Sequence, residues 1–165
     1  MSETSNRILL LGLGNDILTD DAVGLNVVRE VRQRLGGAPG LDIQETMEMG
    51  LTLLDFIVGY RALVLVDSIQ TGTASPGHLH EIDAASLKLL PTNTPHFLGI
   101  GETLALGRKL GLPMPEEVRV FAIEVGDPFT LGTSLTPALQ EAFPNVVERV
   151  VAVLEEMLRA LPTQL

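Results

Sequence analysis

The sequence predicts an α/β domain, a three-layer αβα sandwich around a mainly parallel, twisted sheet of about five strands. Three observations carry this. Short apolar runs alternate along the chain with segments whose apolar residues recur at helical spacing. Two runs, Ile8 to Leu11 and Ala62 to Val66, are unbroken, as in strands buried on both faces. Hydrophobic residues make up 45% of the chain at a mean hydropathy of +0.30, which requires a large interior. No apolar run nears the ~20 residues of a bilayer span, and 165 residues suit one domain, 1–165, with a sizeable core.

Taken in order, residues 1–6 are polar and read as a frayed start. Arg7 to Leu11 is the first strand. Gly12-Leu13-Gly14-Asn15 turns the chain, and Ala22 to Leu35 reads as a helix with Val23, Val27, Val28, Val31 and Leu35 on one face. Gly36 and Gly37 stop it, followed by Pro39 and Gly40. Leu41 to Thr46 is a second strand, Leu51 to Ile57 a short helix, and Ala62 to Val66 a third strand closed by Asp67. Thr71 to Gly77 is rich in turn formers. Leu79 to Ile82 is an edge strand flanked by His78 and His80, which alternate onto one face and read as surface residues. Ala85 to Leu90 is a short helix, Pro91 to Pro95 a loop running into His96, and residues 97–110 a helix with Ile100 and Leu104 inward. Val118 to Ile123 is the last central strand, and Glu124 to Ser134 a long loop. Thr136 and Pro137 then supply an N-cap and a favoured first helical residue. Pro144 restarts that helix, and Val147, Val150, Leu154, Met157 and Leu161 form its apolar stripe.

Composition removes several function classes. The chain carries 11 basic and 21 acidic residues, a formal net charge of -10, against a nucleic-acid partner whose affinity rests on phosphate neutralisation. One Tyr and no Trp offer no base-stacking platform. The absence of cysteine excludes disulfides, thiolate metal ligands and a cysteine nucleophile. With no signal-peptide pattern in Met-Ser-Glu-Thr-Ser-Asn-Arg, a cytoplasmic protein without membrane association is the expectation.

The turn after the first strand resembles better-known glycine loops and fails each of them. Ile17 stands where a dinucleotide fingerprint needs its third glycine, and no lysine follows as in a P-loop. A glycine-x-serine-x-glycine nucleophile elbow is absent. Asp20 and Asp21 instead make the start of the helix acidic, which repels an anion and suits a cation or acid–base work.

In open parallel sheets, sites lie beyond the carboxyl ends of the strands. Asp21 follows the first strand's turn, Asp67 directly follows the third strand, and His96 precedes a helix that opens on the same rim. Two carboxylates and an imidazole suit a divalent transition metal with an open coordination position. Each residue also has a plainer reading: an acid at the positive end of a helix, an acid capping a turn, a histidine in a structural loop.

These residues resemble a known family, the hydrogenase maturation endopeptidases. The resemblance rests on Gly12-Leu13-Gly14-Asn15, Thr19-Asp20-Asp21-Ala22-Val23-Gly24, Val66-Asp67-Ser68, Pro95-His96-Phe97-Leu98-Gly99 and Leu135-Thr136-Pro137, whose order and spacing span nearly the whole chain. It implies a phosphorylase/hydrolase-like α/β fold and an enzyme that trims the C-terminal extension from the large-subunit precursor of a [NiFe] hydrogenase. It also implies that the metal-coordinating and catalytic positions fall on Asp21, Asp67 and His96. There is no resident cofactor in this reading; nickel arrives with the precursor and is what the enzyme recognises. Asp20 is expected to hold the helix start and orient its neighbour.

The chain departs from the family's commoner pattern twice. Asp21 stands where many relatives carry Glu, and Glu45-Thr46-Met47-Glu48-Met49-Gly50 replaces a glycine-glycine-threonine loop. Glu45 and Glu48 read as solvated there. Two other classes remain to be weighed: a non-catalytic docking module or chaperone for a nickel-loaded partner, and a nucleotide enzyme on a related fold, which the doubled acid disfavours.

Overall fold

The computed structural model describes residues 4–83 and 99–162. Five strands, β1 (Ser5–Leu13), β2 (Leu41–Thr46), β3 (Tyr60–Ile69), β4 (Leu79–Asp83) and β5 (Glu117–Glu124), form one sheet in the order β2-β1-β3-β5-β4. The first four in that order run parallel, and β4 closes the edge antiparallel to β5. The helices are α1 (Val23–Leu35), α2 (Leu54–Ile57), α3 (Ile100–Lys109) and α4 (Pro137–Arg159). Short 3-10 turns at Asp20–Ala22 and Gly50–Leu53 lead into α1 and α2.

Alternation along the strands divides the interior into two layers. Ile8, Leu10, Val64, Val66, Phe121 and Ile123 face α1 and α4, whose valine-rich faces complete one cluster. Leu9, Leu11, Leu13, Leu63, Leu65 and Val120 face the other way, onto Leu53, Ile57, Ile100 and Leu104 from the α2 and α3 side. The predicted αβα sandwich is therefore what the chain forms. Unbroken apolar runs are needed in β1 and β3 because both faces of each are covered.

α4 shows how the pattern becomes stability. Val147, Val150 and Leu154 are almost wholly buried on one stripe, and burial of each such side chain is worth about 1.5–3 kcal/mol. That stripe overrides the proline. The expected restart at Pro144 does not occur, because α4 runs unbroken from Pro137 to Arg159 with Pro144 inside. Leu139, one turn earlier, and Val146 and Val147, just after, are anchored in the same layer.

Other expectations need smaller corrections. The predicted short helix at 51–57 is a 3-10 turn followed by a single α turn. The segment Ala85–Leu90, the loop Pro91–Pro95 and His96 lie outside the described residues. Among the described residues, no helix is long and apolar enough to cross a membrane.

Candidate functional site at the carboxyl edge of the sheet

The carboxyl ends of β1, β2, β3 and β5 share one rim, and buried acids collect there. Asp20, Asp21, Asp67 and Glu124 are each 3% exposed or less, although acids are almost never fully buried without partners. A cavity of 240 Å³ at the opposite edge, lined by Arg61, Glu117, Arg119 and Met157, has acids of another kind. Its carboxylates face solvent and meet arginines, Glu116 with Arg61 and Glu117 with Arg119.

Asp21 reaches the rim because glycines let α1 sit close to the sheet. A β-carbon on Gly24 would lie 2.5 Å from the carbonyl oxygens of both Leu13 and Val66, and 3.1 Å from Cα of Asp67. A β-carbon on Gly14 would lie 2.3 Å from the carbonyl oxygen of Asp21. Neither position has room for a side chain. The first turn of α1 is thereby held against the ends of β1 and β3.

Asp67 is the eighth residue of β3, in register with Ala122 of β5. Ser68 links it to Asp21. The Ser68 amide donates to Asp67 Oδ1 at 2.7 Å, and the Ser68 hydroxyl donates to Asp21 Oδ1 at 2.7 Å. One residue thus orients one oxygen of each carboxylate and sets the direction of the other. Alternation places Asp67 on the face of Leu63, Leu65 and Ile69, the layer that contains α3. His96, the third predicted member of the set, precedes α3 in the chain and lies outside the described residues. Among the described residues, no group of three His, Cys, Asp or Glu side chains is arranged to hold a metal ion.

Asp20 does something other than expected. Its carboxylate accepts from the Thr136 amide at 2.8 Å and the Thr136 hydroxyl at 2.9 Å, at the start of another helix. Thr136 occupies the N-cap position of α4 as predicted, but its side chain bonds Asp20 rather than its own helix. The acid therefore fastens the start of α4 to the turn that carries Asp21.

Glu45 and His80 also differ from expectation. Glu45 is part-exposed but ion-paired: the Arg29 guanidinium holds it at 2.6 Å while also binding Asp16 at 2.9 Å. That fork holds the Glu45 carboxyl below the usual range, with Arg32 assisting. Glu48 is exposed as expected. His80, expected at the surface, is mostly covered and places Nε2 3.0 Å from Glu124 Oε1, while His78 packs edge-on against its ring.

Glu124 is the acid that sequence reasoning misses. Burial alone would raise its carboxyl, but bonds from the Thr71 hydroxyl, His80 and the Thr71 and Gly72 amides outweigh burial and hold it below the ordinary range. The signal is present in the chain: Glu124 closes the apolar run Val120–Ile123 just as Asp67 closes its own. Ser68 is visible too, as a second polar residue where an apolar strand ends. Gly24 is legible as a glycine inside a helix, which usually marks a close approach.

Fold and rim together define a class, an α/β protein with paired, oriented carboxylates at the carboxyl edge of a parallel sheet. Comparison with known proteins narrows that class. Residues 6–153 match the family model described as hydrogenase maturation protease. The chain is 28% identical over 161 residues to the hydrogenase 2 maturation protease of Escherichia coli (strain K12), covering 96% of this chain and 97% of that one. It is 25% identical over 158 residues to the hydrogenase expression/formation protein HupD of Bradyrhizobium diazoefficiens, covering 94% and 81%. Among solved structures, the hydrogenase maturating endopeptidase HybD from Escherichia coli superposes with a TM-score of 0.78 at 26% identity, covering 92% and 93%. The chain belongs to the hydrogenase maturation protease family, and it is accordingly a peptidase, a hydrolase.

Proposed function

We propose that this enzyme removes the C-terminal extension of a nickel-loaded [NiFe] hydrogenase large-subunit precursor, and that Asp21, Asp67 and His96 are the residues that meet the nickel. The observation that carries this is the pairing of Asp21 and Asp67 through Ser68 at the edge where a parallel sheet supports a site. The nickel is part of the substrate, and the enzyme contributes no cofactor of its own.

The chemistry is hydrolysis of one peptide bond. The nickel polarises the scissile carbonyl or the attacking water, and Asp21 or Asp67 takes a proton from that water as general base. The water oxygen bonds to the carbonyl carbon, the carbon–nitrogen bond breaks, and the proton passes to the leaving amine. Without nickel in the precursor the site lacks its third party, so cutting waits for metal insertion. A chain without cysteine suits a reducing compartment, and we assign the enzyme to the cytoplasm.

The test is incubation with the same precursor in nickel-loaded and nickel-free forms, followed by intact-mass measurement. Shortening at the C-terminus in the loaded form alone is the expected result. Equal shortening of both forms overturns nickel recognition. Stable binding without cleavage would make the chain a docking module.

A further inference from the structure

Among the described residues, large exposed apolar side chains are concentrated on the rim of the site. Ile17 follows β1, Met47, Met49 and Leu51 follow β2, and Phe129 and Leu131 follow β5. Two of these loops form an ordered unit. Leu18 and Leu131 pair as an antiparallel bridge, the Thr19 amide donates to the Thr130 carbonyl at 2.8 Å, and the Gly132 amide donates to the Ile17 carbonyl at 2.9 Å. The Thr19 hydroxyl also donates to the Thr130 carbonyl, and Asp127 Oδ1 accepts from the amides of Phe129 and Thr130. The backbone is fixed, yet Ile17, Phe129 and Leu131 stand 59%, 61% and 73% exposed.

We infer that this two-loop ribbon is the element on which the precursor protein docks, gripping an apolar surface beside the precursor's metal centre. The inference rests on the function proposed above. Ile17 is four residues from Asp21, so their α-carbons are at most about 14 Å apart. A folded protein that brings a metal to Asp21 therefore comes within reach of the ribbon. Exposed aromatic and aliphatic anchors on a pre-ordered backbone are what a protein interface needs, because little entropy is lost on binding. The occupant is a protein because the family's reaction is peptidase action. An anionic lipid surface is disfavoured by a net charge of -10, and the same charge opposes pairing with a second copy.

The test compares three forms of the enzyme on nickel-loaded precursor: wild type, the combination Ile17→Ser, Phe129→Ser and Leu131→Ser, and a control with Leu110→Ser and Leu112→Ser. The control residues are also exposed but lie at the opposite edge, between α3 and β5. Loss of the three anchors raises KM by about tenfold or more with kcat within about twofold, as for removal of interface anchors; the control leaves both unchanged. Leu131→Ser alone, the most exposed position, gives a smaller rise in the same direction and guards against misfolding of the combined variant. An unchanged KM in a folded combined variant overturns the proposal, as does an equal effect in the control. If wild type binds the precursor without cutting it, the proposed reaction fails, while weaker binding by the combined variant still supports the ribbon. Failure of wild type to bind overturns both. Light scattering that shows a wild-type dimer and a monomeric variant assigns the ribbon to self-association and overturns the proposal.

Discussion

The Ser68 hydroxyl donates to Asp21 Oδ1 at 2.7 Å, with both residues buried. Because the same residue's amide holds Asp67, Ser68 positions both acids without being one of them. Replacing Ser68 with Ala removes a buried bond to a carboxylate and costs about 1–3 kcal/mol in a urea titration. Precursor cleavage falls by about tenfold, equivalent to about 1.4 kcal/mol of lost alignment. A stability loss with undiminished kcat would make Ser68 merely structural.

Asp67→Asn separates charge from shape. The amide oxygen still accepts from the Ser68 amide, so the far-ultraviolet spectrum and urea midpoint stay close to wild type. Cleavage falls by at least about 100-fold, the scale of general-base contributions. A normal rate removes Asp67 from the site assignment.

Gly24→Ala reverses a familiar sign. In an ordinary helix interior this change stabilises by about 1 kcal/mol. Here the added carbon would sit 2.5 Å from two carbonyl oxygens, so overpacking costs about 1–3 kcal/mol instead. α1 shifts outward and Asp21 leaves its register with Ser68, so thermal stability and cleavage fall together. An alanine variant more stable than wild type contradicts the close approach.

Glu124 gives the protein a pH signature. Its folded carboxyl titrates below the ordinary value, while the unfolded chain's titrates near about 4.3. The resulting stabilisation is fully present above the unfolded value and is lost as pH falls through the folded one. Relative to Glu124→Gln, wild type should be more stable above about pH 5, and the gap should close on acidification. Urea midpoints of both proteins across that range measure it. A gap that widens toward acid refutes the assignment.

Much of the fold, and two of the buried acids at the rim, Asp21 and Asp67, are legible in the residues, for physical reasons. β1 and β3 stand out because strands covered on both faces are continuous apolar runs with no polar alternation. Asp21 and Asp67 stand out because a charge beside a buried strand must be held by specific partners to offset its desolvation. The bond from Thr136 to Asp20 is invisible to local rules, since it joins residues 116 positions apart and each residue alone suits an ordinary helix start. Glu45 looks solvated in the sequence because its partner Arg29 lies in the preceding helix, on what reads as a polar face. Pro144 looks like a break because helix propensity takes no account of the buried stripe that holds both sides of it.

The order β2-β1-β3-β5-β4 has a consequence for how the chain is made. Among the described residues, β4 (Leu79–Asp83) pairs with β5, which begins at Glu117. During synthesis, therefore, an edge strand waits for a central strand to slot in between it and β3. Only then does Glu124 reach His80 and Thr71. A ribosome-bound chain that ends before β5 lacks the strand with which β4 pairs, so newly made enzyme acquires this side of its rim late.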